Sequence, residues 1–177
     1  QVEIQVRATG LNFRDVLNVL DLYPGDPGPL GGECAGEVVA VGEGVEHVKP
    51  GDRVVALAPA SFARYAVTLA EFVTVKPETL SDEEAATIPI AFLSAYYALC
   101  RLGRMKAGDR VLVHAASGGV GLAAIQLAQQ AGAEIFATAG SPRKREYLQS
   151  LGIKHVMDSR SLDFGDQILA ATGGEGI

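Results

Sequence analysis

The sequence predicts an α/β protein in two parts: a β-rich region over residues 1–80, then the first half of a doubly wound parallel sheet over residues 81–177. Three observations carry this. The apolar pattern changes period near residue 80, from alternation in short runs to strands separated by helical segments. The second part reads strand–helix–strand–helix–strand, which implies parallel strands with right-handed crossovers. A glycine-rich stretch, "VHAASGGVG" at 113–121, marks its first strand-to-helix junction.

Taken in order, Val2, Ile4, Val6 and Ala8 alternate as in a half-buried strand. "FRDVLNVL" sets Phe13, Val16, Leu17 and Leu20 at i, i+3, i+4, i+7, the stripe of a short amphipathic helix. The runs "CAGEVVAVG", "DRVVALA", "ARYAVT" and "FVTVKP" read as strands between Gly and Pro breaks, giving a small antiparallel unit such as an irregular barrel. Ser81 and Glu84 form a capping box that opens a helix through "DEEAATIPIAFLSAYYALC", interrupted at Pro89. "RVLVHAA" is a continuous apolar run, as in a strand buried on both faces. The helix "GGVGLAAIQLAQQAG" stops at Gly132, "EIFATA" is a second strand, and Ser141-Pro142 starts the helix "RKREYLQSLG". "HVMD" is a third strand, and "SLDFGDQILAATGG" a third helix.

Composition narrows the function. At 177 residues and 48% hydrophobic, the chain can bury a substantial core. A formal charge of -6 argues against a nucleic-acid surface, and no 18-residue apolar run suggests a membrane span. Two isolated cysteines, Cys34 and Cys100, with no signal-peptide pattern, suit a reducing, cytoplasmic location. The opening "QVEIQVRATG" lacks an initiator Met and is expected to continue a longer polypeptide.

The glycine-rich loop lies where the N-terminus of a βαβ helix can hold a pyrophosphate. Gly118 would let the turn close, Gly119 would let backbone approach the phosphates, and Gly121 would let the helix pack on the strand. The alternative is a packing turn; the βαβ context favours a cofactor. An NAD site would carry an acid about 20 positions on, to bond the ribose 2′-hydroxyl. Here the second strand ends in Ala139, Gly140 and Ser141, followed by Arg143, Lys144 and Arg145. A hydroxyl beside cations suits a 2′-phosphate and points to NADPH, although Ser141 is equally a helix N-cap.

The order "LNFRDVL", "GGECAGEVVAVG", "GDRVVALAPASFARY", "AATIPIAFLSAYYAL" and "VLVHAASGGVG" resembles the zinc-independent medium-chain dehydrogenase/reductase superfamily. "LNFRDVLNVL" followed by Tyr23-Pro24-Gly25, and "SRSLDF" at 159–164, are similar to the enoyl reductase domain of modular polyketide synthases. The resemblance covers the whole chain. It implies a GroES-like catalytic domain over 1–80 and a Rossmann NADPH-binding domain over 81–177. The loop then fits an A-x-x-G-x-x-G form at Ala115, Gly118 and Gly121. Gly119, Val120, Ser141, Lys144, Ser159 and Arg160 join these as cofactor-binding candidates.

The resemblance also implies the chemistry. Zinc-dependent relatives carry a His where this chain has Gly32, and a four-Cys lobe that two cysteines cannot build, so no metal is expected. Without a Lewis acid, the expected reaction is reduction of the α,β double bond of an enoyl thioester on an acyl carrier protein. Hydride adds to the β-carbon and a donor protonates the α-carbon. Tyr23 is the candidate proton donor, or else an aromatic packing in its loop. Asn12 corresponds to a position near the nicotinamide ribose, or is the N-cap of the following helix; Ser94 corresponds to a hydroxyl on the nicotinamide carboxamide, or is a small helical residue. Neighbouring synthase domains are the expected partners. A lysine and an aspartate proposed as catalytic in that branch lie beyond this sequence, so an open sheet edge and an incomplete site are expected. Rival readings are a free-standing NADPH:quinone oxidoreductase, a reductase-derived cyclopropanase and a non-catalytic NADPH-binding protein.

Overall fold

The structure, a computed structural model, describes residues 1–177 and divides into two compact units, Gln1–Ile90 and Ala91–Ile177. In the first, β1 (Val2–Thr9), β2 (Glu33–Val41), β3 (Arg53–Leu57), β4 (Tyr65–Thr68) and β5 (Val73–Val75) form one antiparallel sheet in the order β4-β1-β2-β3-β5. Alternation does what it implies. Val2 and Ile4 on β1, Cys34 and Val38 on β2, and Val54 and Ala56 on β3 share one core. The edge strands β4 and β5 do not pair with each other, so the sheet stays open rather than closing as the expected barrel. They have only four and three residues, and a 3₁₀ turn at Ala70–Phe72 separates them.

Helix α1 (Phe13–Val19) corrects a second expectation. Its apolar stripe is real but not buried: Phe13 is 74% exposed and Leu20, just past its end, 59%. The one residue α1 buries is Asp15, whose carboxylate accepts the N–H groups of Asn12 and Gly31, both at 2.9 Å. Hydrogen bonds to a buried acid, not apolar packing, hold this helix in place. The short helix α2 (Asp82–Ala86) starts at Ser81, whose hydroxyl accepts from the Glu84 N–H while Glu84 accepts from Ser81 N–H. Its Ala85 and Ala86 pack with Ala35 and Val55 on the second face of the sheet.

The second unit opens within α3 (Pro89–Tyr96), which widens into a π-type turn through Leu102. Strands β6 (Arg110–Val113), β7 (Glu134–Ala139) and β8 (His155–Asp158) then pair in parallel, in that order. Three helices follow them: α4 (Gly119–Ala131), α5 (Pro142–Ser150) and α6 (Phe164–Ala171). Ala123, Ile125 and Ala128 of α4 and Leu148 of α5 bury against β6 and β7. Gly132 ends α4 in the left-handed conformation, φ 74°, as its C′ position requires. The central strand β7 is buried from Ile135 to Ala139, whereas β6 is only half-buried until Val113 because it forms one edge of this sheet. The fold is thus α/β, with an antiparallel five-stranded sheet followed by a parallel three-stranded one.

Candidate functional site

Beyond β6 the chain leaves the sheet one turn earlier than the apolar run suggests. His114 and Ala115 belong to the turn, and Ala115 adopts φ 48°. The left-handed position of this loop therefore falls on an alanine, while Gly118 has φ -86° and is the N-cap of α4. What the glycines supply is room. A Cβ on Gly121 would stand 2.6 Å from the Ala115 carbonyl oxygen and from Ala116 Cα, so α4 rests on the loop rather than on the strand. A Cβ on Gly118 would meet the same oxygen at 3.2 Å, whereas nothing lies within 4 Å of one on Gly119. That space opens outward.

The loop is stitched to the neighbouring strand. Ala116 N–H donates to the Thr138 carbonyl at 3.1 Å, and His114 Nδ1 bonds Thr138 Oγ1 at 2.9 Å. The His114 ring also meets Phe164 edge-on at 5.4 Å. These ties leave the first N–H groups of α4, those of Gly119, Val120 and Gly121, without a backbone acceptor and grouped at the positive end of the helix.

A cleft of about 440 Å³ lies over the carboxyl ends of the strands. It gathers Ala115, Gly118, Ser141, Lys144, Ser159 and Arg160 from the residues singled out in the sequence, and Gly119, Val120 and Gly121 form the adjacent helix turn. His114, Ser117, Thr138, Ala139 and Gly140 also line it. Those five were not foreseen as site residues, since none carries a distinguishing pattern of its own. No carboxylate lines the cleft; Lys144 and Arg160 do. Arg160 crosses Gly140 so closely that a Cβ there would stand 2.8 Å from its Nε. Ser141 caps α5, its Oγ accepting from the Lys144 N–H at 3.4 Å.

The acid that directly precedes Ser159 is otherwise engaged. Asp158, the last residue of β8, pairs with Arg145 at 3.0 Å and accepts the Arg160 N–H at 2.8 Å. The basic run thus divides by role: Lys144 faces the cleft, Arg145 neutralises Asp158, and Arg143 is exposed. Free N–H groups at a helix start, an empty space beside Gly119, and cations without a carboxylate together suit the phosphates of a nicotinamide dinucleotide.

The other candidates lie elsewhere in the chain. Ser94 is exposed on α3. Tyr23 is half-buried in a loop of the first unit, with the Arg14 guanidinium 5.3 Å above its ring; Arg14 also donates to the Pro27 carbonyl. Asn12 precedes α1, and its Nδ2 donates to Glu33 Oε1 at 2.8 Å. Glu33 was not read as functional in the sequence; an acid opening an apolar strand run was its only signal. Burial pushes its carboxyl above the usual range, opposed by its hydrogen bonds to Ile90 and Asn12. The adjacent Cys34 thiol is pushed up to about 11, first by burial and then by the Glu33 charge. The three histidines stand apart, and no group of three or more His, Cys, Asp or Glu side chains converges as a metal site. No helix is long and apolar enough to cross a membrane.

Residues 1–81 match the alcohol dehydrogenase GroES-like domain family, and residues 119–177 the zinc-binding dehydrogenase family. A phenolphthiocerol/phthiocerol polyketide synthase polypeptide of Mycobacterium tuberculosis is 49% identical over 180 residues, which cover all of this chain and 8% of that polypeptide. Among solved structures, the CurK enoyl reductase superposes with a TM-score of 0.93 at 50% identity, over 99% of this chain and 56% of that one. The CurF ER cyclopropanase from the curacin A pathway follows with a TM-score of 0.90 at 42% identity, over 99% and 56% of the two chains. The quinone oxidoreductase of Escherichia coli complexed with NADPH gives 0.87 at 35%, over 98% and 55%.

Proposed function

Since this chain belongs to the medium-chain dehydrogenase/reductase superfamily of oxidoreductases, we propose that it is part of an NADPH-dependent enoyl reductase domain of a polyketide synthase. Its substrate is an α,β-unsaturated thioester on an acyl carrier protein, and its immediate neighbours are other synthase domains in the cytoplasm. The observation that carries the cofactor half of this reading is the cleft, where free helix-start N–H groups and two cations stand with no carboxylate. The substrate half is supported by identities of 49–50% to a polyketide synthase and an enoyl reductase, against 35% to a quinone oxidoreductase.

In this reading the N–H groups of Gly119, Val120 and Gly121 hold the pyrophosphate, with Ala115 and Gly118 shaping the loop. The Ser141 hydroxyl, Lys144 and Arg160 bind the 2′-phosphate, with Ser159 beside them. Asn12 and Ser94 orient the nicotinamide end, which when bound supplies the hydride for the β-carbon. Tyr23 then donates its phenolic proton to the α-carbon.

The test is turnover by the whole domain with NADPH and three substrates: a carrier-linked crotonyl thioester, its γ-chloro analogue and a benzoquinone. Saturation of the crotonyl double bond, with matching NADPH oxidation, is expected. Turnover of the quinone alone makes the chain an oxidoreductase of that type. Chloride release with ring closure makes it a cyclopropanase, and cofactor binding without any turnover makes it a binding protein.

A further inference from the structure

Tyr23 lies in a segment that does little to hold itself in place. Residues 23–30 make no main-chain hydrogen bond to one another or to the rest of the chain, and none of them is buried. Within the segment, the Gly28 N–H donates to Asp26 Oδ1 at 2.9 Å. A stretch with neither packing nor a hydrogen-bond ladder keeps much of its conformational freedom unless other groups restrain it.

Here the restraint comes from α1. Arg14 and Asn18 stand at i and i+4, so they share one face of that helix. Arg14 donates to the Pro27 carbonyl, and Asn18 Nδ2 to the Gly28 carbonyl at 3.0 Å. The Arg14 guanidinium also lies over the Tyr23 ring, 5.3 Å from its centre. The buried Asp15 takes the Gly31 N–H at 2.9 Å, just past the segment. One short helix thus grips the loop at Tyr23, Pro27, Gly28 and Gly31.

Arginine suits the double contact. Its guanidinium is planar, so one nitrogen can donate in the plane while the flat face rests on an aromatic ring. The ring of Tyr23 is therefore covered on one face, and a substrate can approach it only by the other face or by the phenolic edge.

We propose that Arg14 is a positioning residue that fixes the aim of the Tyr23 phenol, and with it the face of the α-carbon that receives the proton. This rests on the reading of Tyr23 as the proton donor of the proposed reductase. Every contact it invokes lies within the unit Gln1–Ile90.

The test uses the whole domain, NADPH and a carrier-linked α-methyl crotonyl thioester, and reads the ratio of the two configurations at the α-carbon. Wild type is compared with Tyr23→Phe, Arg14→Met and the double variant. Arg14→Met keeps a long unbranched side chain but removes the cation, the flat face and the donors. It is expected to shift the ratio about threefold toward that of Tyr23→Phe, the size of one exposed cation–π contact, while hydride transfer persists. The double variant is expected to match Tyr23→Phe, because both changes act through one proton.

An unchanged ratio in Arg14→Met beside an altered one in Tyr23→Phe overturns the proposal, whatever happens to the rate or the melting temperature. So does a double variant shifted well beyond Tyr23→Phe, since Arg14 would then act elsewhere. Should Arg14→Met fail to fold, Arg14→Lys, which keeps the charge but not the flat face, must shift the ratio in the same direction; an unchanged ratio overturns the proposal. Unchanged rate and configuration in Tyr23→Phe instead remove Tyr23 as the donor, and the role of Arg14 falls with it. A wild-type domain that leaves the thioester unreduced overturns the reductase reading itself.

Discussion

Ser141 illustrates how one side chain serves two ends. It closes the start of α5 and also faces the cleft beside Lys144. Ser141→Asp keeps a good N-cap but sets a carboxylate toward any 2′-phosphate. It is expected to weaken NADPH binding at least about tenfold more than NADH binding, as titration of both cofactors will show. Equal losses would mean that only the helix start was damaged. Tyr23 is the corresponding test for the chemistry. Its ring rests against the Arg14 guanidinium, a contact that Tyr23→Phe preserves while removing the proton. With an α-methyl enoyl thioester and the whole domain, hydride transfer is expected to persist while the configuration at the α-carbon becomes mixed or inverted. An unchanged rate together with unchanged configuration would remove Tyr23 from the mechanism.

The loop between β6 and α4 separates a binding glycine from a packing glycine. Beside Gly119 the space is open, so Gly119→Val should leave the melting temperature close to wild type while abolishing binding of both NADPH and NADH. Gly121 is crowded by the loop it rests on. Gly121→Ala must push α4 away and is expected to cost about 1–3 kcal/mol of stability, read from denaturant unfolding. Retained cofactor binding in folded Gly119→Val, or a fully stable Gly121→Ala, would exchange or cancel these roles. The loop's left-handed residue, Ala115, has no such steric licence. It is held there by the turn bond from Gly118 N–H to its carbonyl at 2.9 Å and by the tie of Ala116 to Thr138.

At the scale of the whole chain, every residue lining the cleft lies in the unit Ala91–Ile177. Binding of 2′,5′-ADP should therefore slow amide hydrogen exchange around residues 115–121 and 140–144 and leave residues 1–90 unchanged; protection confined to 1–90 would contradict the assignment of the cleft. Much of this plan was legible in the chain itself. Alternation in Val2–Ile4 and Val54–Ala56, the strand–helix periods after residue 105, the Ser81–Glu84 box and the stop at Gly132 are local signals, because backbone hydrogen bonding and side-chain direction repeat over a few residues. What local pattern could not reveal was which groups meet across the fold. The stripe on α1 promised burial, yet the helix is held by Asp15, because Gly31 comes to it from 16 positions away. Nothing around position 33 marks Glu33 as the partner of Asn12, since the bond joins residues 21 apart on different elements. Likewise, the run Arg143–Arg145 reads as one basic patch until Asp158 draws Arg145 aside and leaves Lys144 facing the cleft. Periodicity determined the elements; the burial of a few charges, which must find partners wherever the chain brings them, was decided only by the tertiary structure.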